Sequence, residues 1–197
     1  MCLCRVVHGD ITTFVGGAIV NPANEGLWEG GGCCGAIFDA VRNLGGAQGH
    51  RDLTDACRTM GHCPTGKAVI TPSFGLPAPF IIHAVGPEWR GVGSDRLKPG
   101  QPLSEKETEL VALLTSAYAE VIRLCVENGI SSVAIPSIST GIFGFPQELA
   151  AAIARTTCDK VCADLGAELE VTFYAFDERA FKVLSAAPAR EWLPLIS

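Results

Sequence analysis

No stretch of the sequence is long and apolar enough to span a bilayer as a helix, and no basic tract offsets a formal net charge of −6. The first absence argues against a transmembrane helix. The second argues against a protein that binds nucleic acid by bulk electrostatics, because phosphate neutralisation needs Lys and Arg in excess. Any phosphate ligand would have to be held by local backbone amides instead. The opening "MCLCRVVHGD" lacks the basic-then-apolar form of a signal peptide, so a cytoplasmic protein is expected. Paired cysteine motifs are lacking as well, although nine cysteines are present. Cys2-x-Cys4 falls in an expected strand, Cys158 and Cys162 lie one helical turn apart, and Cys57 and Cys63 have His62 nearby but no C-x-x-C spacing. An odd count at these spacings predicts no disulfide framework, no metal site and no cofactor. The thiols read as small hydrophobes in a reducing compartment.

What is present is a core. Hydrophobic residues make up 48% of 197 and charged ones 18%, enough for one compact domain. Apolar, β-branched runs predict strands near Leu3–Val7, Gly17–Asn21, Lys67–Thr71, Phe80–Val85, Ser132–Pro136 and Glu170–Phe176. Helical segments lie between them. Cys34–Leu44 ends at Gly45-Gly46, and Ser104–Asn128 opens on the capping-box pattern Ser104-x-x-Glu107. Pro146 is expected as the first helical residue before Leu149–Cys162, and Asp177 as the cap of a last helix containing Phe181 and Leu184. This alternation predicts a three-layer α/β domain over residues 1–185. Gly91–Gln101 reads as a surface loop, and residues 186–197, which include "APAREWLPLIS", as a tail or linker remnant.

Chemistry is expected beyond the carboxyl ends of the strands, where open α/β sheets bind ligands. "HGDIT", "NPANEGLWEGGGCCG", "PSISTGIFGFP" and "FDE" all follow strands. Gly30, Gly32 and Gly35 match G-x-G-x-x-G, but eight residues separate Asn21 from Gly30, and Asp52 and Asp55 lie in a helix-like stretch. A Rossmann dehydrogenase therefore fits poorly. Three adjacent glycines before a helix can still aim amides at phosphate, the alternative being a helix-entry loop without a ligand. In the second loop, Ile142, Phe143 and Phe145 either cover the core or wall a groove.

At these residues the chain resembles a known family. "GDIT", "NPANEGL…GGG", "GHCPTGKAVIT", "IIHAVGPEWRG" and "IPSISTGIFGFP" stand in the order and spacing of macrodomains, over about Cys4 to Leu184. The likeness is greatest to the branch with bacterial stand-alone O-acetyl-ADP-ribose deacetylases and mono-ADP-ribosyl hydrolases. It implies a mixed six-stranded sheet between helices and an ADP-ribose cleft at the strand ends. It also implies hydrolysis of mono-ADP-ribose esters on acidic side chains and of O-acetyl-ADP-ribose, with ADP-ribosylated proteins as partners. The alternatives are a non-catalytic ADP-ribose reader, or a macrodomain cut from a viral or multidomain polyprotein.

The resemblance also implies a site. Asp10 would accept from the adenine amino group, or else cap the following turn, and Ile11 would supply backbone contact. Phe176 would stack on the base or pack in the core. Asn24 would hydrogen-bond the distal ribose, with Asn21 securing the loop. Gly31, Gly32, Cys33, Cys34, Gly35 and Ala36 would present amides to ribose and phosphate. Pro136, Ser139, Thr140, Gly141, Ile142, Phe143 and Gly144 would do so from the other side, Phe143 against the distal ribose. His83 would be structural. Asn24, Phe143, Gly32 and Cys34 would serve catalysis.

The chain departs from that pattern at three points. Cys34 stands where the hydrolases usually carry a loop aspartate, although alphavirus macrodomains also have a cysteine near there. Glu29 replaces a usual glycine, as a substitute base or a solvated charge, and Phe143 replaces a tyrosine. Cys34 itself could be a nucleophile or an inert buried thiol. With no carboxylate pair evident, the expected mechanism is positioning: the loops bend the diphosphate so that a phosphate oxygen holds the attacking water.

Overall fold

Alternation along the strands assigns each side chain to one of two cores. In β2 (Ala18–Ala23), Ala18 and Val20 join one cluster while Ile19 joins the other, as a period of two requires. Pairing preserves the division: Ile19 lies opposite Ile81 of β4 (Phe80–Val85) and Ala134 of β5 (Ser132–Pro136), all three in the same core. With β1 (Cys2–His8), β3 (Ala68–Pro72) and β6 (Leu169–Ala175), the computed structural model forms a six-stranded sheet in the order β1-β6-β5-β2-β4-β3. Only β3 runs antiparallel to its neighbour, so the sheet is mixed. The structure describes residues 2–92, 97–98 and 100–186.

Helices cover both faces. Ile37, Phe38 and Val41 of α1 (Gly32–Leu44) and Leu53 of α2 (Gly46–Met60) pack into one core. Leu114 and Val121 of α3 (Glu105–Glu127), Leu149 of α4 (Gln147–Asp164) and Leu184 of α5 (Glu178–Ser185) fill the other. This is the expected three-layer α/β architecture. The capping box forms: Ser104 Oγ accepts from the Glu107 N–H, and the Glu107 carboxylate accepts from the Ser104 N–H at 2.9 Å. Asp177 caps α5 by accepting from Ala180 N–H at 2.8 Å.

Two local readings change. Pro146 does not open α4 but flanks it as the capping residue, with an extended ψ of 123°, and its carbonyl accepts from Ala150 N–H. The full extent of α2 also escapes the pattern, because only Gly49, Leu53 and Cys57 are buried along it, a thin stripe that includes a glycine. It follows α1 directly because Gly46 adopts φ 70°, a left-handed corner open to glycine. Residues 93–96 and 99 of the expected Gly91–Gln101 loop, and residues 187–197 of the expected tail, lie outside the described residues. Among the described residues, no helix is long and apolar enough to cross a membrane.

Candidate functional site

Parallel strands deliver their carboxyl ends to one rim, and there the loops after β1, β2, β5 and β6 enclose a cleft of about 690 Å³. Fifteen of the residues expected to bind ligand line it: Asp10, Ile11, Asn24, Gly31, Gly32, Cys33, Cys34, Ala36, Pro136, Ser139, Thr140, Gly141, Ile142, Phe143 and Phe176. Gly35 and Gly144 are not on its wall. Gly35 packs so closely that an added Cβ would lie 2.7 Å from the Gly30 carbonyl oxygen, and Gly144 backs onto Arg90.

The first glycine loop leads straight into α1. Its capping residue, Gly31, offers no side-chain acceptor, so the first-turn amides of Gly32, Cys33 and Cys34 have no side-chain cap, and all three residues line the cleft. α4 likewise starts without a side-chain cap, and its first residue, Gln147, lines the same space. The two loops approach each other, since a Cβ at Gly31 would stand 3.2 Å from Ile142 Cδ1. Among the described residues, Asp10 and Asp177 are the only charged residues lining the cleft, both at its β1–β6 end, and no basic side chain does. An anion placed between the loops meets dipoles and N–H groups rather than cations.

Side-chain partners sort out the residue roles. Asn24 Nδ2 donates to the Trp28 carbonyl at 2.9 Å, and its Oδ1 accepts from Trp28 N–H at 3.3 Å. Asn24 therefore secures the loop, the role expected of Asn21. Asn21 is instead buried in the sheet, its Nδ2 donating to His83 Nδ1 at 3.0 Å. Asp10 realises its capping role by accepting from Thr12 N–H and Oγ1–H at 2.9 and 2.8 Å. Both bonds use Oδ1, which leaves Oδ2 as an acceptor for a ligand amine. Phe176 is 89% exposed on the cleft rim, which removes the core-packing alternative. The second loop divides its apolar residues: Phe145 is buried against Trp89, with ring centroids 4.6 Å apart, while Ile142 and Phe143 line the cleft.

Electrostatics narrow the candidates for acid–base work. Glu29 lies off the cleft wall, hydrogen-bonded to His50 Nε2 at 2.8 Å and paired with Arg42 at 3.1 Å. The His50 hydrogen bond, helped by Arg42, holds its carboxyl below the usual range, so it is neither a free solvated charge nor a poised base. The Cys34 thiol is buried and accepts from Gly30 N–H at 3.4 Å; burial pushes its pKa up, against the nucleophile reading. Burial pushes Cys33 up to about 12. His83 is fully buried between Asn21 and Thr71 Oγ1, the latter at 2.9 Å, and burial lowers its pKa to about 4, so it is neutral and structural.

Sequence reasoning missed Trp28, Gly86, Gln147 and Tyr174, which also line the cleft. Trp28 is 66% exposed inside "EGLWEGGG", and an aromatic residue set among loop glycines was the available signal. Gly86, Gln147 and Tyr174 reach the cleft only through tertiary packing. Ser139 Oγ and Gln147 Oε1 are buried there with no hydrogen-bond partner among the described residues.

Comparison with known proteins agrees with this geometry. The sequence model of the family described as Macro domain matches residues 20–154. A Macro domain-containing protein of Cupriavidus necator is 43% identical over 91% of this chain and 93% of its own length. The O-acetyl-ADP-ribose deacetylase of Enterobacter cloacae is 41% identical over 88% of this chain and 86% of its own. Among solved structures, the Trypanosoma brucei macrodomain in complex with ADP-ribose superposes with a TM-score of 0.73 and 28% identity, covering 92% of this chain and 67% of that one.

Proposed function

Because this chain belongs to the Macro domain family, we propose that it binds ADP-ribose in the cleft and hydrolyses O-acetyl-ADP-ribose, releasing acetate and ADP-ribose. The observation that carries the reading is the pair of loops whose helix starts, without side-chain caps, flank a space that no basic side chain lines among the described residues. That space suits a diphosphate held by N–H groups. Asp10 Oδ2 accepts from the adenine amino group, and Phe176 lies flat on the base. Asn24 Oδ1 receives only the longer Trp28 bond and keeps a lone pair for a ribose hydroxyl. The Phe143 ring closes over the distal ribose.

In the reaction, water adds to the acetyl carbonyl carbon, and the tetrahedral oxyanion collapses with release of the ribose oxygen, which takes up a proton. Its partners remove Glu29 as a base and burial removes Cys34 as a nucleophile, so the diphosphate itself orients the water. Loop amides stabilise the developing negative charge. The same geometry extends to mono-ADP-ribose esterified to Asp or Glu of proteins. Trp28 and Ile142, 66% and 61% exposed at the rim, offer such a substrate an apolar surface. A reducing cytoplasm suits nine unpaired thiols. Residues 1–185 act as one macrodomain.

Calorimetry with ADP-ribose, together with acetate release from O-acetyl-ADP-ribose and label loss from a mono-ADP-ribosylated protein, tests this. Binding, turnover of both substrates, and loss of rate in Asn24→Ala and Phe143→Ala are expected. No heat at millimolar ADP-ribose would end the reading altogether. A second reading, a non-catalytic reader, is favoured by Cys34 at the position of the usual loop aspartate; binding without turnover over hours would establish it.

A further inference from the structure

On the face of the sheet opposite α1 and α2, the edge strand β1 meets α4, and five of the nine cysteines gather on that side: Cys2, Cys4, Cys125, Cys158 and Cys162. Their spacing hides this, since the fold joins residues 155 positions apart. Cys2 and Cys4, two residues apart in a strand, project to the same side, and their Sγ atoms lie 3.2 Å apart. Cys4 Sγ donates to Asp159 Oδ1 at 3.5 Å. One donor atom from each of Cys2, Cys4 and Asp159 lies within 4.8 Å of the other two. Cys162, one turn beyond Cys158 on α4, packs in the same core but stands outside this group of three.

We propose that Cys2, Cys4 and Asp159 form a binding site for a thiophilic divalent cation of the zinc class, separate from the cleft. Two thiolates and one carboxylate supply three donors of a tetrahedral set, and a water takes the fourth position. Zinc–sulfur and zinc–oxygen bonds of about 2.3 and 2.1 Å place neighbouring donors about 3.5–3.8 Å apart. The observed 3.2 and 3.5 Å separations need only a small expansion to reach that. Half-buried Cys2 and Cys4 with exposed Asp159 give an entry route from solvent. A divalent ion bound here displaces thiol protons. Buried Cys158 stands beside the set as a packing residue.

The function is structural. β1 is an edge strand whose strand pairing, among the described residues, is with β6 alone, and a metal would tie its amino-terminal end to the carboxyl-terminal half of α4. The cleft lies at the opposite end of β1, where Gly9 and Asp10 follow the strand, so the ion would take no part in the reaction there.

The test is anaerobic Co²⁺ titration of the full chain, reduced and freed of any affinity tag. Expected are saturation at about one equivalent, a thiolate-to-cobalt charge-transfer band, and intense tetrahedral d–d bands that Zn²⁺ abolishes by competition. Cys4→Ser should remove the charge-transfer intensity and weaken binding by at least about 100-fold, more than losing an outer-shell partner costs. Asp159→Asn should weaken binding and shift the d–d bands, and Cys63→Ser should change neither. Zn²⁺ should raise the melting temperature of the native chain by about 5 °C but not that of Cys4→Ser, with circular dichroism checking that each variant folds. No charge-transfer band in the native chain, an unchanged band in Cys4→Ser, or a Cys2–Cys4 disulfide that persists after reduction would each overturn the site.

Discussion

Ser139 carries a buried hydroxyl with no hydrogen-bond partner among the described residues, and its φ of 66° is a left-handed conformation that a non-glycine residue adopts at some cost. Both features weaken the unliganded state; a hydrogen bond from the hydroxyl to a phosphate oxygen in the cleft satisfies the first and offsets the cost of the second. Ser139→Ala should therefore leave thermal stability unchanged or slightly raised, while ADP-ribose affinity falls about tenfold, the usual effect of losing a hydrogen bond to a charged group. Melting curves and calorimetry on the same variant check both halves; unchanged affinity would show that Ser139 faces no ligand. The neighbouring asparagines differ in how far they could be read. Asn21 and Asn24 are alike in type and three residues apart, and nothing local told the loop anchor from the sheet partner. Their partners, Trp28 and His83, decided it.

At the scale of elements, the two loops have definite shapes because strands and helices hold their ends. Gly86, directly after β4, shows how tight the fit is: an added Cβ would meet Ser139 Oγ at 2.1 Å and Ile138 Cγ2 at 2.6 Å. Gly86→Ala should push the second loop off its seat at a cost on the order of 1–3 kcal/mol, lowering ADP-ribose affinity at least about tenfold while the sheet persists. Calorimetry with far-ultraviolet circular dichroism separates the two effects, and retention of full affinity would show the loop to be more compliant than its packing suggests. Helix ends such as Ser104-x-x-Glu107 and the Asp177 cap were legible because capping chemistry lies within three residues. α2 was not read along its full length because its buried stripe is thin and contains a glycine.

For the whole molecule, His83 links local burial to global stability. It is buried between β2 and β3, and its pKa is lowered to about 4, below the ordinary value of 6.5 that it regains on unfolding. Between those values the unfolded chain binds the proton and the folded chain does not, so stability falls as pH drops from about 6.5 to 4 and levels off below. The loss is about 3 kcal/mol. Denaturant titrations at neutral and acidic pH should show it, and His83→Gln should flatten that part of the profile; an equally steep variant would assign the dependence elsewhere. By itself the sequence determined the strands, most helix ends, the glycine loops and their placement at one rim, because hydrophobic period, caps and turns act over a few residues. Only the tertiary structure decided that Glu29 is tied to Arg42 and His50, that Phe176 faces solvent, and that the thiols of β1 meet a carboxylate of α4. Those outcomes depend on contacts between distant segments, whose geometry exists only once the sheet has set its strand order.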